Sequence, residues 1–167
     1  INAGKFKLAL ENTVFCMANQ DVRYYLNGLL FEVDNGAVKA VATDGHRLAL
    51  SSLELPGLVA QQKQIIIPRK GVLEVMRLLA SDDQLITLSL GQNHIRLTDS
   101  NYVFSSKLID GRFPDYRRVL SRNSTKLVTA HRSVLKDACT RASILSNEKY
   151  RGVRFTLSSG ELQIVAN

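Results

Sequence analysis

The sequence predicts an α+β protein assembled from repeated strand–helix–three-strand units. The first ground is an internal repeat. Residues 28–43 (GLLFEVDNGAVKAVAT) align without gaps on residues 152–167 (GVRFTLSSGELQIVAN), with Gly28/Gly152, Phe31/Phe155, Gly36/Gly160, Val41/Val165 and Ala42/Ala166 identical. Self-similarity of this kind marks one supersecondary unit used more than once. The second ground is alternation: each copy is two short runs around a turn, Asp34-Asn35-Gly36 or Ser158-Ser159-Gly160, as in a hairpin. The third is that a helix-period apolar stripe precedes each hairpin.

Taken in order, Phe6, Leu10, Val14 and Met17 fall at i, i+4, i+8 and i+11 and predict the first helix. The hairpin 28–43 follows, with Leu29, Val33, Val38 and Ala40 facing inward; their repeat partners are Val153, Leu157, Leu162 and Ile164. A strand at 64–67 leads into a helix at 69–80, with Pro68 at its opening and Val72, Val75, Met76 and Leu79 as its apolar face. Alternating strands are expected at 85–90, 94–98 and 102–108. A last helix carries Leu135, Ala138, Ala142 and Leu145 ahead of the second hairpin. The units recur with a period of roughly sixty residues. The first lacks its opening strand and the third stops within its strands, so both ends read as cut. A bare ladder edge invites pairing, so a longer parent chain or a partner is expected. The polar stretch 122–126 (RNSTK) reads as a linker between domains.

Composition narrows the function. Of 167 residues 45% are apolar, enough for a core, and no run approaches the roughly 18 apolar residues that a membrane span needs. Cys16 and Cys139 lie far apart with no C-x-x-C, which predicts buried free thiols and a reducing cytoplasm. The net charge of +7 is uneven: residues 1–121 hold 14 basic and 12 acidic side chains, residues 122–167 hold 8 and 3. A basic face attracts nucleic acid.

Enzymatic readings find little support. Asp44 and His46 lie two apart on a turn, as in a general-base pair. However, there is no G-x-S-x-G elbow and no phosphate-cradling glycine loop, and His46, His94 and His131 lack metal-ligand spacing. No catalytic residue, metal or cofactor is assigned. Basic outward positions recur instead: Lys5 and Lys7, then Lys70 and Arg77 around Glu74, then Arg132 and Lys136 with Lys149 and Arg151 beyond. They describe either solvated amphipathic helices or helices that present cations to phosphates without reading bases. In Gln20-Asp21-Val22-Arg23-Tyr24-Tyr25 two adjacent tyrosines cannot both point inward, and an exposed one can stack on a base or cover backbone. The run 108–120, LIDGRFPDYRRVL, sets Arg112, Arg117 and Arg118 around Phe113, Pro114 and Tyr116, the composition of an interaction surface.

Together QDVRYYLNGLLFE, VATDGHRLAL, IIIPRKGVLEVMRLL, SKLIDGRFPDYRRVL and ILSNEKYRGVR resemble, in order, the bacterial DNA polymerase III beta subunits, the sliding clamps. The likeness covers essentially the whole chain. It implies the DNA-clamp fold, with helices on the inner face and antiparallel sheets outside. Residues 1–121 would be most of the middle domain and 122–167 the first part of the C-terminal domain. It implies a non-catalytic cytoplasmic processivity factor whose full-length form is a homodimeric ring around duplex DNA. Polymerase, clamp loader and repair proteins would dock through short peptide motifs. Matching positions imply a peptide pocket at Arg23, Leu26, Thr43, Gly45, His46, Arg47, Leu48, Pro114, Arg118 and Val119, and DNA contacts at Gln20, Tyr24, Tyr25, Arg69 and Lys70. Two other readings stay open beside it: an enzyme using Asp44 and His46, and an open-sheet binder gripping strands through Tyr24 and Tyr25.

Overall fold

A computed structural model of the chain describes residues 1–59, 61–79, 84–120, 125–147 and 152–166. They form two compact units, Ile1–Asp115 and Tyr116–Asn167. The division therefore falls ahead of the stretch 122–126 expected to link domains, and residues 122–124 of that stretch lie outside the described residues.

In the first unit, helix α1 (Ala3–Val14) starts where Asn2 Oδ1 accepts the Lys5 N–H at 2.9 Å, satisfying one of the free donors of the first turn. Its face of Ala3, Phe6, Ala9, Leu10 and Thr13 is buried; Met17, the last residue of the expected stripe, is buried beyond the helix end. Phe6 meets Phe31 edge to face, ring centroids 5.7 Å apart. Strands β1 (Gly28–Asp34), β2 (Ala37–Thr43), β3 (Leu48–Glu54) and β4 (Lys63–Pro68) make an antiparallel sheet in the order β3-β2-β1-β4. Asp34 pairs with Ala37, and Gly36 takes φ +73° in the turn between them, a conformation that favours glycine. The expected inward positions Leu29, Val33, Val38 and Ala40 all lie in the core.

Helix α2 (Arg69–Leu78) follows β4 directly, with Pro68 as its N-cap; Val72, Val75 and Leu79 are buried against α1 and the sheet, and Met76 packs at the core's edge. Its expected last residue, Ala80, lies outside the described residues. A second sheet, β5 (Thr87–Leu90), β6 (His94–Thr98) and β7 (Val103–Lys107), is also antiparallel. β5 begins later than expected: Leu85 is 76% exposed and makes only an isolated bridge, to Asn2. Beyond β7 the Ile109 N–H donates to the Ile66 carbonyl at 2.9 Å and joins the two sheets.

The second unit contains a short 3-10 turn (Tyr116–Arg118), helix α3 (Arg132–Ile144) and the hairpin β8 (Val153–Ser158)–β9 (Glu161–Ala166). Its turn pairs Ser158 with Glu161 and gives Gly160 φ +75°, so both repeat copies fold in one register. Burial differs from expectation here. Leu145 sits past the helix end and is 83% exposed, and Cys139, expected to be buried, is only half-buried on α3, whereas Cys16 is buried. Burial holds the Cys16 thiol above its ordinary pKa. No helix among the described residues is long and apolar enough to cross a membrane.

Candidate functional site

The connection from β2 to β3 is folded by its own side chains. Asp44 Oδ1 accepts the backbone N–H groups of His46 at 2.9 Å and Arg47 at 3.0 Å, and Oδ2 accepts Arg47 Nε at 3.0 Å. This is an Asx turn closed by an ion pair. The Thr43 hydroxyl donates to the Arg47 carbonyl at 2.7 Å and accepts the Gly45 N–H at 3.1 Å. Burial opposes ionisation of Asp44, but hydrogen bonds from the His46 and Arg47 backbone and the Arg47 side chain outweigh it and hold the carboxyl below its usual range. The carboxylate is thus committed to the loop. Its hydrogen bonds go to the loop backbone and the Arg47 side chain, and among the described residues none joins it to the His46 ring. Arg47 also lies 5.9 Å from the centroid of the exposed Phe15 ring.

Beside this loop runs the segment from Gln20 to Asn27. Asp21 and Asn27 lock it: the Asp21 N–H donates to Asn27 Oδ1 and Asn27 Nδ2 donates to the Asp21 carbonyl, both at 2.8 Å. The Asp21 carboxylate takes three donors from Arg23: the backbone N–H at 2.8 Å, Nε at 3.0 Å and Nη2 at 2.8 Å. Hydrogen bonds from the Arg23 side chain and then its backbone hold the Asp21 carboxyl down at about 2. Arg23 Nη2 reaches on to the Asp44 carbonyl at 3.2 Å. Gly45 makes room for it: with φ +88°, a Cβ there would lie 2.9 Å from Arg23 Nη1. Arg23, Thr43, Gly45, His46, Arg47 and Leu48, six of the expected peptide-facing residues, are thereby brought to one edge of the first unit.

The other expected residues are distributed differently. Leu26 is 1% exposed in the 3-10 turn Tyr24–Leu26 and offers no open surface. Pro114 is exposed at the end of the first unit; Arg118 and Val119 are exposed in the second. Tyr24 is exposed and meets half-buried Tyr25 edge to face at 5.7 Å, and a Cβ on Gly111 would lie 3.2 Å from the Tyr24 ring and 3.4 Å from Tyr25 Cβ. Gln20 is exposed at φ +59°. Arg69 donates through Nη1 to the Met17 carbonyl at 3.3 Å, and its N–H donates to the Asn27 carbonyl at 3.0 Å, which seats the start of α2 on the same segment. Lys70 is exposed.

Two of the basic outward helix positions, Lys7 and Arg77, have structural partners among the described residues. Lys7 Nζ donates to the Leu79 carbonyl at 2.9 Å and so closes the end of α2, while Arg77 pairs with Glu74 at 2.6 Å. Lys149 and Arg151 lie outside the described residues. A groove of about 460 Å³ between β4 and residues 107–113, lined by Gln64, Ile66, Asn93, Lys107, Ile109 and Arg112 among others, had no signal in the sequence. The parts played by Asp21 and Asn27 also escaped sequence reasoning. Asp two positions before Arg is a faint Asx-turn cue, whereas its pairing with Asn27 leaves none.

The family profile described as "DNA polymerase III beta subunit, central domain" matches residues 1–115, and that described as "DNA polymerase III beta subunit, C-terminal domain" matches residues 117–167. The beta sliding clamp of Pseudomonas putida is 50% identical over all 167 residues, which span 46% of that relative; that of Escherichia coli is 51% identical over 161 residues, 96% of this chain and 44% of its own. The crystal structure of the Pseudomonas aeruginosa DNA polymerase sliding clamp superposes with TM-score 0.96 at 52% identity, covering 100% of this chain and 46% of that one. A structure of the same organism's clamp bound to griselimycin gives TM-score 0.95. The chain spans just under half the length of these relatives. With a family profile over each compact unit, and a solved clamp matching along the whole chain, the sequence belongs to the family of the DNA polymerase III beta subunit, the bacterial sliding clamps.

Proposed function

We propose that this chain is the middle-domain unit and the first part of the C-terminal domain of a DNA sliding clamp, a non-catalytic processivity factor of the cytoplasm. The observation that carries the reading is the side-chain-built edge where Arg23 crosses Gly45 beside Thr43, His46 and Leu48, within a chain that matches clamps over its whole length. Such an edge offers a cation, an imidazole and apolar surface at one place, which suits a short peptide with polar and apolar anchors. Leu48 would supply apolar area and Arg23 and His46 would orient polar groups, while Pro114, Arg118 and Val119 are assigned to peptide binding by the family resemblance alone. On this reading polymerase, clamp loader and repair proteins dock here through short motifs, and the clamp raises their effective concentration on DNA.

DNA contacts are assigned to Gln20, Tyr24, Tyr25, Arg69 and Lys70. The full-length protein acts as a homodimeric ring, and topology supplies the retention. Contacts with phosphates are weak and sequence-independent, since base-specific contacts would pin a ring that has to slide. Titration of a labelled peptide, carrying a glutamine and a leucine–phenylalanine end, onto this chain tests the reading. Saturable binding is expected, and an Arg118→Ala plus Leu48→Ala double variant should weaken it by about tenfold or more. Binding that the double variant leaves unchanged would put the peptide elsewhere.

A further inference from the structure

We infer that Asp21 is a positioning residue for peptide recognition: it fixes the Arg23 guanidinium across Gly45 before any peptide arrives. The inference rests on the proposed peptide-facing role of Arg23. An unrestrained arginine has several rotatable bonds, and ordering it on binding costs entropy that the ligand must offset. Here that order is already present. The Asp21 carboxylate engages Nε and Nη2 in a two-point fork and also holds the Arg23 backbone N–H, so both the origin and the head of the side chain are set. Asp21 is itself held by the two 2.8 Å bonds to Asn27. The guanidinium edge then spans to the Asp44 carbonyl over a glycine with no Cβ to displace it.

The pair is partly exposed, with side-chain accessibilities of 46% for Arg23 and 21% for Asp21. Exposed ion pairs add little to stability. This arrangement is accordingly better suited to orienting a side chain than to holding the fold together. Asp21 would touch no peptide; its whole effect would pass through Arg23.

The test is a double-mutant cycle on the full 167-residue chain with the labelled peptide described above. Asp21→Asn is expected to weaken binding roughly three- to fivefold in the parent and to change it less than about 1.5-fold once Arg23→Ala is present. Equal losses in both backgrounds would mean that Asp21 acts on the loop at large and would overturn the inference. Arg23→Ala without effect would overturn both the inference and the assignment of Arg23 to the peptide site. A peptide-free measurement separates the two ideas. In nitrogen-15 NMR spectra the Arg23 Nε–H should be a resolved, slowly exchanging signal that Asp21→Asn removes while signals from the β1–β2 core stay in place. An Nε–H signal unchanged in Asp21→Asn would overturn the positioning role even if peptide binds.

Discussion

Gly45 has no side chain, and that space is what allows Arg23 to lie across the β2–β3 loop. Gly57 also has positive φ, +86°, but among the described residues nothing lies within 4 Å of where its Cβ would be. The two glycines therefore separate backbone strain from crowding. Alanine at either position carries the left-handed penalty of about 1–2 kcal/mol. At Gly45 the new methyl also pushes on a guanidinium, the mobile end of a long side chain, which can swing away. Because exposed ion pairs add little to stability, stability should hardly distinguish the variants. We expect Gly45→Ala and Gly57→Ala to lower stability in urea by similar amounts, within about 1 kcal/mol of each other, while only Gly45→Ala weakens peptide binding. A loss of binding in Gly57→Ala as large as in Gly45→Ala would remove Arg23 from the explanation.

At the level of elements the repeat gives a matched pair. Gly28 opens β1 and its repeat partner Gly152 immediately precedes β8, yet their surroundings differ. A Cβ on Gly28 would lie 2.6 Å from the Ile67 backbone oxygen, 2.8 Å from an Ile66 methyl and 2.9 Å from Ile109, whereas one on Gly152 would meet nothing within 4 Å among the described residues. A backbone oxygen cannot move aside without parting β1 from β4. Gly28→Ala should therefore cost about 2–3 kcal/mol, and Gly152→Ala should stay within about 0.5 kcal/mol of the parent; denaturant midpoints of the two variants check this. The repeat was legible because glycine, turn residues and alternation are local signals. So were the stripes of α1 and α2, whose Phe6, Leu10, Val72 and Val75 are all buried. The start of β5 was not legible, because Leu85 reads as a strand residue but has only the Asn2 bridge to join. Nor was the role of Lys7, since its acceptor at Leu79 lies 72 positions away and no periodicity carries that distance. The candidate site divides the same way. The Thr43–Arg47 loop announces itself through Asp-Gly, while the Asn27–Asp21–Arg23 arrangement exists only once the chain has turned back on itself.

Across the molecule, similar local patterns lie in unequal surroundings. The hydrophobic core cluster lies wholly within the first unit, where Phe31 is 1% exposed; its repeat counterpart Phe155 is 48% exposed, and Leu157 stands at 50% where Val33 stands at 8%. Among the described residues of the second unit only Tyr116 and Ser146 are buried, and no residue of α3 is. Full burial of a large apolar side chain is worth about 1.5–3 kcal/mol, so the two hairpins, identical in register, differ by several such contributions in what holds them closed. Local opening follows buried contacts rather than hydrogen-bond pattern. Amide protons of β8 and β9 should accordingly exchange by local opening at least about a hundredfold faster than the paired positions of β1 and β2, a gap of roughly 2.7 kcal/mol. In urea the second unit should unfold first, as a separate transition. Equal protection of the two hairpins, with one unfolding transition seen by every probe, would mean that the chain is a single cooperative unit and that burial within each part does not set its stability.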